Sequence, residues 1–276
     1  MRLNPLNALW LLLESRDTPM HLGTLAIMRK PRGASSTYLR DLAATLREQG
    51  EPASPWSLCL ADPAGRSISP RLVTDPDFDL DYHFRHSALP QPGGERELGV
   101  VVSRLHSQPL DRNRPLWEFH LIEGLERDRF AFYFKAHHAL VDNVNALPLV
   151  LSSLTTRADA RNPRPLWTCP AQLSGPEDDT GFELADLAQS LGASMDSMSA
   201  AGQAAAGYFR DRLRRDSEGS YLTTRGTPRS TLNRRINAQR RFATQQFKLR
   251  HIGELAKRAD CTVNTLLAYL CGSSLR

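Results

Sequence analysis

Residues 130–143 read FAFYFKAHHALVDN, and this stretch decides the fold prediction. Aromatic residues occupy four of its first five positions, a composition typical of a strand. Two consecutive histidines, His137 and His138, follow at the predicted strand end, and Asp142 comes four residues after the second. The pattern therefore predicts a strand that delivers titratable side chains to the edge of a sheet.

Alternation of side chains along a strand assigns these residues to faces. One face is predicted to carry Phe132, Phe134 and His138, and the other carries Lys135 and His137. The phenylalanine face is the predicted buried one, so His138 would adjoin an apolar cavity, where a neutral imidazole can act as a general base. A shared metal ion is not expected, because the two histidines point apart. A core histidine without a catalytic role is the alternative.

The remaining pattern predicts helices mixed with strands. Predicted helices cover 4–13, a segment capped by Ser36 and ended by Gly50, Glu95–Ser107, Phe182–Arg215, His251–Arg258 and Thr262–Arg276. Predicted strands cover His21–Met28, Trp117–Ile122, Phe130–Ala136 and Phe242–Leu249. The second and third of these strands are predicted to pair antiparallel, since a short loop joins them.

Composition excludes several classes of protein. The 276 residues are 41% hydrophobic and 24% charged, as in globular domains, and no apolar run approaches the roughly 18 residues of a membrane-spanning helix. The four cysteines lack C-x-x-C spacing, which argues against a zinc site or a disulfide framework. The N-terminus does not resemble a secretory signal, so we expect a cytoplasmic protein.

Positive charge is concentrated in one segment, Arg210–Arg258, which holds 14 Lys or Arg against four acidic residues. Such a segment suits phosphates or anionic lipid headgroups, and a solvated surface is the alternative. Nothing in the sequence resembles a nucleic-acid-binding motif, so we expect no nucleic-acid partner.

The motif His137-His138-x-x-x-Asp142, followed by Asn143, resembles the His-His-x-x-x-Asp-Gly signature of the CoA-dependent acyltransferase superfamily. This superfamily includes chloramphenicol acetyltransferases and peptide-synthetase condensation domains. The flanking sequence narrows the resemblance to the bacterial wax ester synthase/acyl-CoA:diacylglycerol acyltransferase family. The segments that carry it are 5–8, 17–23, 79–83, 89–94, 109–125, 238–243 and 262–264. A condensation domain is disfavoured, because these segments match the lipid branch.

The resemblance implies a mixed α/β fold of the chloramphenicol-acetyltransferase type, with a sheet flanked by helices. It covers only the N-terminal part of the family's length, so we expect a truncated second domain. Three regions are predicted: an acyltransferase domain at 1–155, a linker and crossover with the basic segment at 156–260, and the first helix of the truncated domain at 261–276.

The resemblance also implies the reaction. A fatty acyl group would pass from acyl-CoA, as substrate rather than cofactor, to diacylglycerol or a long-chain alcohol. His138 would be the general base, Asp142 would hold the loop, and His137 would be secondary. No metal or bound cofactor is expected, and the inner membrane face or lipid inclusions are the expected peripheral locations.

Two further motifs follow from the resemblance. Pro115-Leu116-Trp117 matches a motif that supports the acyl chamber, with a plain core tryptophan as the alternative. Asn264 matches the first residue of an Asn-Asp motif that would support the active site.

Three departures from the family pattern affect the active site. Asn143 replaces the signature glycine, Thr265 replaces the motif aspartate, and Pro148 lies early in the predicted helix after the signature. Together with the truncated second domain, these departures lead us to expect poor turnover of acyl-CoA by this chain alone. The alternative function is therefore an inactive lipid- or membrane-binding remnant.

Overall fold

The computed structural model describes residues 1–3, 5–64, 70–141, 143–155, 164–171, 236–244 and 247–275, with backbone alone at 5–6 and 143–145. The chain divides into two compact units, Met1–Arg240 and Arg241–Arg276. The predicted boundaries at 155 and 260 stay predictions, since most of the segment between them lies outside the described residues.

The described residues of the first unit form helices and strands in mixed order. They are α1 (Pro5–Leu13), β1 (His21–Arg29), α2 (Tyr38–Glu48), β2 (Leu58–Leu60), β3 (Leu72–Thr74), α3 (Leu80–His83), β4 (Phe84–Ala88), α4 (Glu95–Ser107), β5 (Trp117–Leu125), β6 (Arg129–His137), α5 (Asn143–Ser152) and a 3-10 turn at Leu166–Thr168. In the second unit, α6 (Leu249–Arg258) and α7 (Val263–Ser274) follow one another, and Asp260 between them has a left-handed φ of 48°.

Four strands form the main sheet in the order β1-β6-β5-β4. Neighbours pair antiparallel except β4 and β5, which are parallel. Strands β2 and β3 form a separate antiparallel pair. The predictions of a mixed α/β fold and of an antiparallel β5–β6 pair are confirmed, and strand β6 lies inside the sheet between β1 and β5.

Large aromatic side chains fill the core on one side of this sheet. Trp56, Trp117 and Trp167 are all 0% exposed. Ring centroids lie 6.0 Å apart between Trp56 and Trp117 and 5.9 Å apart between Trp117 and Trp167. Trp167 falls in the predicted linker but lies in this core, because its aromatic surface is better buried than exposed.

Two of the predicted elements differ from the structure. The prediction of a strand at Phe242–Leu249 is wrong for the described residues, since 242–244 and 247–248 form no strand and Leu249 begins α6. Alternation over a few residues is insufficient, because a strand also needs a partner for its backbone hydrogen bonds. The second difference is at the start of α2, whose N-cap is Thr37 rather than Ser36. The predicted helix at Phe182–Arg215 lies outside the described residues.

The cysteines are all free: Cys59 and Cys169 are buried, Cys261 is partly exposed and Cys271 is exposed. No helix in the described ranges combines the length and hydropathy needed to span a membrane.

Candidate active site

The two consecutive histidines lie where β6 ends. His137 is the last strand residue, pairs with His21 of β1 and is 1% exposed. His138 begins the following turn and is half-buried, and its N–H donates to the Met20 carbonyl at 3.0 Å. The strand therefore ends one residue before His138, so strand alternation does not determine the direction of the His138 side chain. The turn determines that direction.

The imidazole of His138 stacks on a side chain of α1. Its ring centroid lies 4.9 Å from that of Trp10, with 28° between the ring planes. Stacking restricts ring rotation, so the direction of its nitrogens depends on α1 as well as on the turn.

The prediction that only the phenylalanine face of β6 is buried is wrong. On the opposite face, Tyr133, Lys135 and His137 are 2%, 0% and 1% exposed. Helix α4 supplies the cover, since carbonyls at its C-terminal end, those of Leu105 and Gln108, each accept a 3.0 Å hydrogen bond from Lys135 Nζ. A central strand buried on both faces can carry polar residues only when they find partners.

The buried charge of Lys135 is balanced by a carboxylate on β5. Its Nζ lies 3.1 Å from Glu118 Oε2, which also lies 3.2 Å from His120 Nε2. Burial raises the pKa of Glu118, but the interactions with His120 and Lys135 outweigh this and lower the pKa to about 2. Lys135 and Glu118 therefore form a buried ion pair in which each charge offsets the other.

A second buried polar group lies between β1, α4 and β6. His21 Nε2 donates to the His106 carbonyl at 2.9 Å, and His106 Nδ1 lies 2.8 Å from Tyr133 Oη. A Cβ at position 23 would stand 2.7 Å from that phenolic oxygen, so only Gly23 allows the close approach. Burial, with the charge of Lys135, lowers the pKa of His21 to about 4.

This low pKa predicts loss of stability in mild acid. The unfolded chain binds a proton at His21 near pH 6.5, whereas the folded chain does so only near 4, so stability falls as the pH drops from 6.5 to 4. The charged or titratable groups that act on His21 are Lys135, His106 and Glu14.

We expect His21→Gln to flatten the dependence of Tm on pH between 5 and 6.5. His251→Gln, at an exposed position of α6, is the matched control and should leave the slope unchanged. Thermal melts across this pH range measure both, and an unchanged slope in His21→Gln would contradict the assignment.

The Pro115-Leu116-Trp117 segment supports the histidine motif directly. The Leu116 carbonyl accepts the His137 N–H at 3.0 Å. Trp117 is fully buried, donates through Nε1 to the Trp56 carbonyl at 2.8 Å and stacks on His83 at 4.6 Å. A role in lining an acyl chamber stays a prediction.

The other predicted site residues have different outcomes. Asp142 lies outside the described residues. Asn143 begins α5, so its backbone is helical. Pro148 lies well inside α5, beyond its first turn, where a proline removes one helical hydrogen bond.

Asn264 and Thr265 belong to the second unit, on the first turn of α7, and both are exposed there. The Thr265 N–H donates to the Thr262 side chain at 3.1 Å and caps the helix. Their predicted contribution to the active site stays a prediction. In the described part of the chain, no cluster of three or more His, Cys, Asp or Glu side chains is suited to a metal ion.

Sequence reasoning missed three residues: Trp10 and Glu14, which contact the histidines, and Arg112, which contacts Glu14. Glu14 Oε1 lies 3.6 Å from His137 Nε2, and Glu14 Oε2 accepts hydrogen bonds from Arg112 at 2.9 and 3.1 Å. The available signal was the spacing of Trp10 and Glu14, which places both on one helical face. No local sequence pattern indicated a role for Arg112.

Comparison with known proteins places this chain in a family. Residues 3–267 match the model described as "Wax ester synthase/diacylglycerol acyltransferase catalytic domain". A putative diacylglycerol O-acyltransferase of Mycobacterium tuberculosis is 37% identical over 277 residues, which cover 99% of this chain and 59% of the relative. The O-acyltransferase WSD of Acinetobacter baylyi is 34% identical over 282 residues, covering 99% of this chain and 58% of the relative.

A solved structure shows the same similarity in three dimensions. The wax ester synthase/diacylglycerol acyltransferase from Marinobacter aquaeolei VT8 matches with a TM-score of 0.72 and 33% identity, covering 98% of this chain and 59% of that one. This chain thus spans less than two thirds of the length of these proteins. With a family model that covers nearly all of it and relatives that match it from end to end, the chain belongs to the wax ester synthase/diacylglycerol acyltransferase family.

Proposed function

We propose that this chain carries the general base of an O-acyltransferase that moves a fatty acyl group from acyl-CoA to diacylglycerol or a long-chain alcohol. The observation that carries the proposal is the position of His138, half-buried at the end of a central strand and stacked on Trp10. Relatives named as diacylglycerol O-acyltransferases and a wax ester synthase support the substrate class.

In the proposed reaction, His138 accepts the proton of the acceptor hydroxyl as its oxygen attacks the thioester carbonyl. The tetrahedral intermediate then expels the CoA thiolate, which takes the proton from the imidazolium. The products are an ester and CoA thiol, and no acyl-enzyme forms. Proton transfer by a positioned base contributes about 10² to 10⁴ in rate, and fixed geometry adds to this.

An assay with palmitoyl-CoA and either hexadecanol or dioleoylglycerol tests the proposal. Release of CoA thiol and formation of ester should rise together, and both should require the acceptor. The same chain joined to the C-terminal part of a relative should be assayed in parallel. Absence of ester with both proteins, or thioester hydrolysis without ester, would contradict the proposal.

The second candidate function is lipid-surface binding without catalysis, favoured by the composition of α6. Three apolar side chains in this helix or just before it are exposed: Phe247 at 72%, Leu249 at 75% and Leu255 at 49%. Basic side chains lie on the same short stretch, among them Lys257 and Arg258 at its end. Apolar and basic groups exposed together suit an anionic bilayer surface.

We expect salt-sensitive binding of this chain to anionic vesicles, because each basic residue near such a surface contributes about 1 kcal/mol and salt screens the attraction. Lys257→Gln/Arg258→Gln should weaken binding, whereas Arg32→Gln/Arg40→Gln, at exposed positions of the first unit, should have less effect. Vesicle flotation at low and high salt measures this. Equal flotation at both salt concentrations, or none at low salt, would reject the membrane role.

A further inference from the structure

The two consecutive histidines contact two side chains one helical turn apart at the end of α1. The ring of His138 stacks on Trp10, and the Nε2 atom of His137 lies 3.6 Å from Glu14 Oε1. The Glu14 N–H donates to the Trp10 carbonyl at 3.1 Å, which continues the helical geometry to this residue. Side chains at this spacing share one face of a helix.

The carboxylate of Glu14 is fixed through both oxygens. Oε2 accepts from Arg112 Nε at 3.1 Å and Nη2 at 2.9 Å, and Oε1 accepts the Met20 N–H at 3.1 Å. Arg112 Nη2 also donates to the Leu11 carbonyl at 2.7 Å, so the guanidinium is anchored to α1. A carboxylate held in this way loses little entropy when it meets a further donor.

Glu14 is ionised in the folded protein. Burial raises its pKa, but the interactions with His137, Met20 and Arg112 are stronger together and lower it to about 2. The side chain is 10% exposed, so water screens its charge weakly. His137 therefore faces a permanent negative charge.

A backbone contact indicates which nitrogen of His137 carries the proton. The Ala139 N–H donates to Nδ1 at 3.0 Å. Nδ1 therefore keeps its lone pair, and the neutral ring carries its proton on Nε2, the atom that faces Glu14. Among the described residues, Nε2 has no partner within hydrogen-bonding distance, and hydrogen bonds of this kind shorten when substrate closes a site.

His137 organises the backbone around His138 through its main chain and its ring. Its backbone carbonyl accepts the N–H groups of Leu140 and Val141 at 2.9 and 3.2 Å, and its backbone N–H donates to the Leu116 carbonyl. Its ring adds the contact from the Ala139 N–H to Nδ1. A rotation or tautomer change at His137 would break the Ala139 contact and loosen this turn. His138 lies inside the turn and would move with it.

We propose that Glu14 is a positioning residue for the base His138. Its carboxylate, anchored by Arg112, holds the His137 ring in the Nε2–H form and so fixes the turn that carries His138. The inference rests on the proposed function, because that function makes His138 the base.

The test variant is Glu14→Gln, which preserves shape and removes the charge. Arg112 requires an oxygen on its side, so the amide NH₂ turns toward the donors Met20 N–H and His137 Nε2–H. We expect kcat to fall about 10- to 100-fold with KM nearly unchanged, as displacements of about 1 Å at a reacting group do. Glu95→Gln, which disrupts the 3.1 Å Arg129–Glu95 pair, is the matched control and should leave kcat within about twofold of the unmodified chain.

Two further measurements separate positioning from general stability. Glu14→Gln in a His137→Ala background should cause no further loss of kcat, because the proposed effect passes through that ring. An additional loss equal to that in the unmodified chain would overturn the proposal. Nitrogen-15 spectra should show pure Nε2–H His137 in the unmodified chain and an Nδ1–H population in Glu14→Gln.

These measurements also distinguish the proposal from the function on which it rests. If the unmodified chain, alone and in its extended form, transfers no acyl group, the proposed function fails, and the tautomer of His137 alone decides the role of Glu14. An unchanged Nε2–H tautomer in Glu14→Gln would overturn the proposal regardless of activity. A changed tautomer with unchanged kcat would also overturn it.

Discussion

Replacing His138 with alanine is expected to lower the rate of acyl transfer by about 10²- to 10⁴-fold, the usual contribution of a positioned base. The fold should be little affected, because His138 is half-buried and lies in a turn. The measurement is kcat with palmitoyl-CoA and dioleoylglycerol, in whichever form of the protein is active, together with a thermal melt. His251→Ala, at an exposed position of the second unit, is the control.

Substitution of the neighbouring histidine, His137, should affect activity and stability differently. His137→Ala should reduce kcat less than His138→Ala but lower Tm more, since His137 is 1% exposed and its Nδ1 accepts the Ala139 N–H. Retained activity in His138→Ala, or equal losses of kcat in the two variants, would show that the base is another group.

Replacing Lys135 with methionine is expected to destabilise the first unit by about 3–5 kcal/mol, the usual cost of removing one partner of a buried ion pair. Glu118 would stay buried without its cation, and the carbonyls of Leu105 and Gln108 would each lose a donor. The free energy of unfolding from urea titration measures the effect.

Two comparisons make this measurement specific. Lys135→Met/Glu118→Gln should recover part of the loss, because it removes the unpaired charge as well as its partner. Arg129→Met breaks an ion pair whose carboxylate is 44% exposed and should cost no more than about 1 kcal/mol. Equal losses in Lys135→Met and Arg129→Met would show that the buried pair has no special role.

Local pattern was sufficient for most of the secondary structure in the first unit. Alternation in FAFYFKA predicted β6, and apolar spacing predicted α4 at Glu95–Ser107, its observed bounds. Local pattern failed at Phe242–Leu249, where alternation occurs but the described residues form no strand. It also failed to predict burial of the second face of β6. Helix α4 covers that face, and the sequence of the strand does not show what packs against it.

The sequence by itself determined the family and most of the described elements of the first unit, because strand alternation, helix spacing and the His-His-x-x-x-Asp pattern are properties of neighbouring residues. Only the tertiary structure decided what the histidines contact. Trp10 contacts His138 from α1, and Glu14 contacts His137 from the position just after α1. Arg112 contacts Glu14 from the loop after α4. Such contacts depend on how distant segments pack, and packing is settled by burial over the whole unit rather than by local preference.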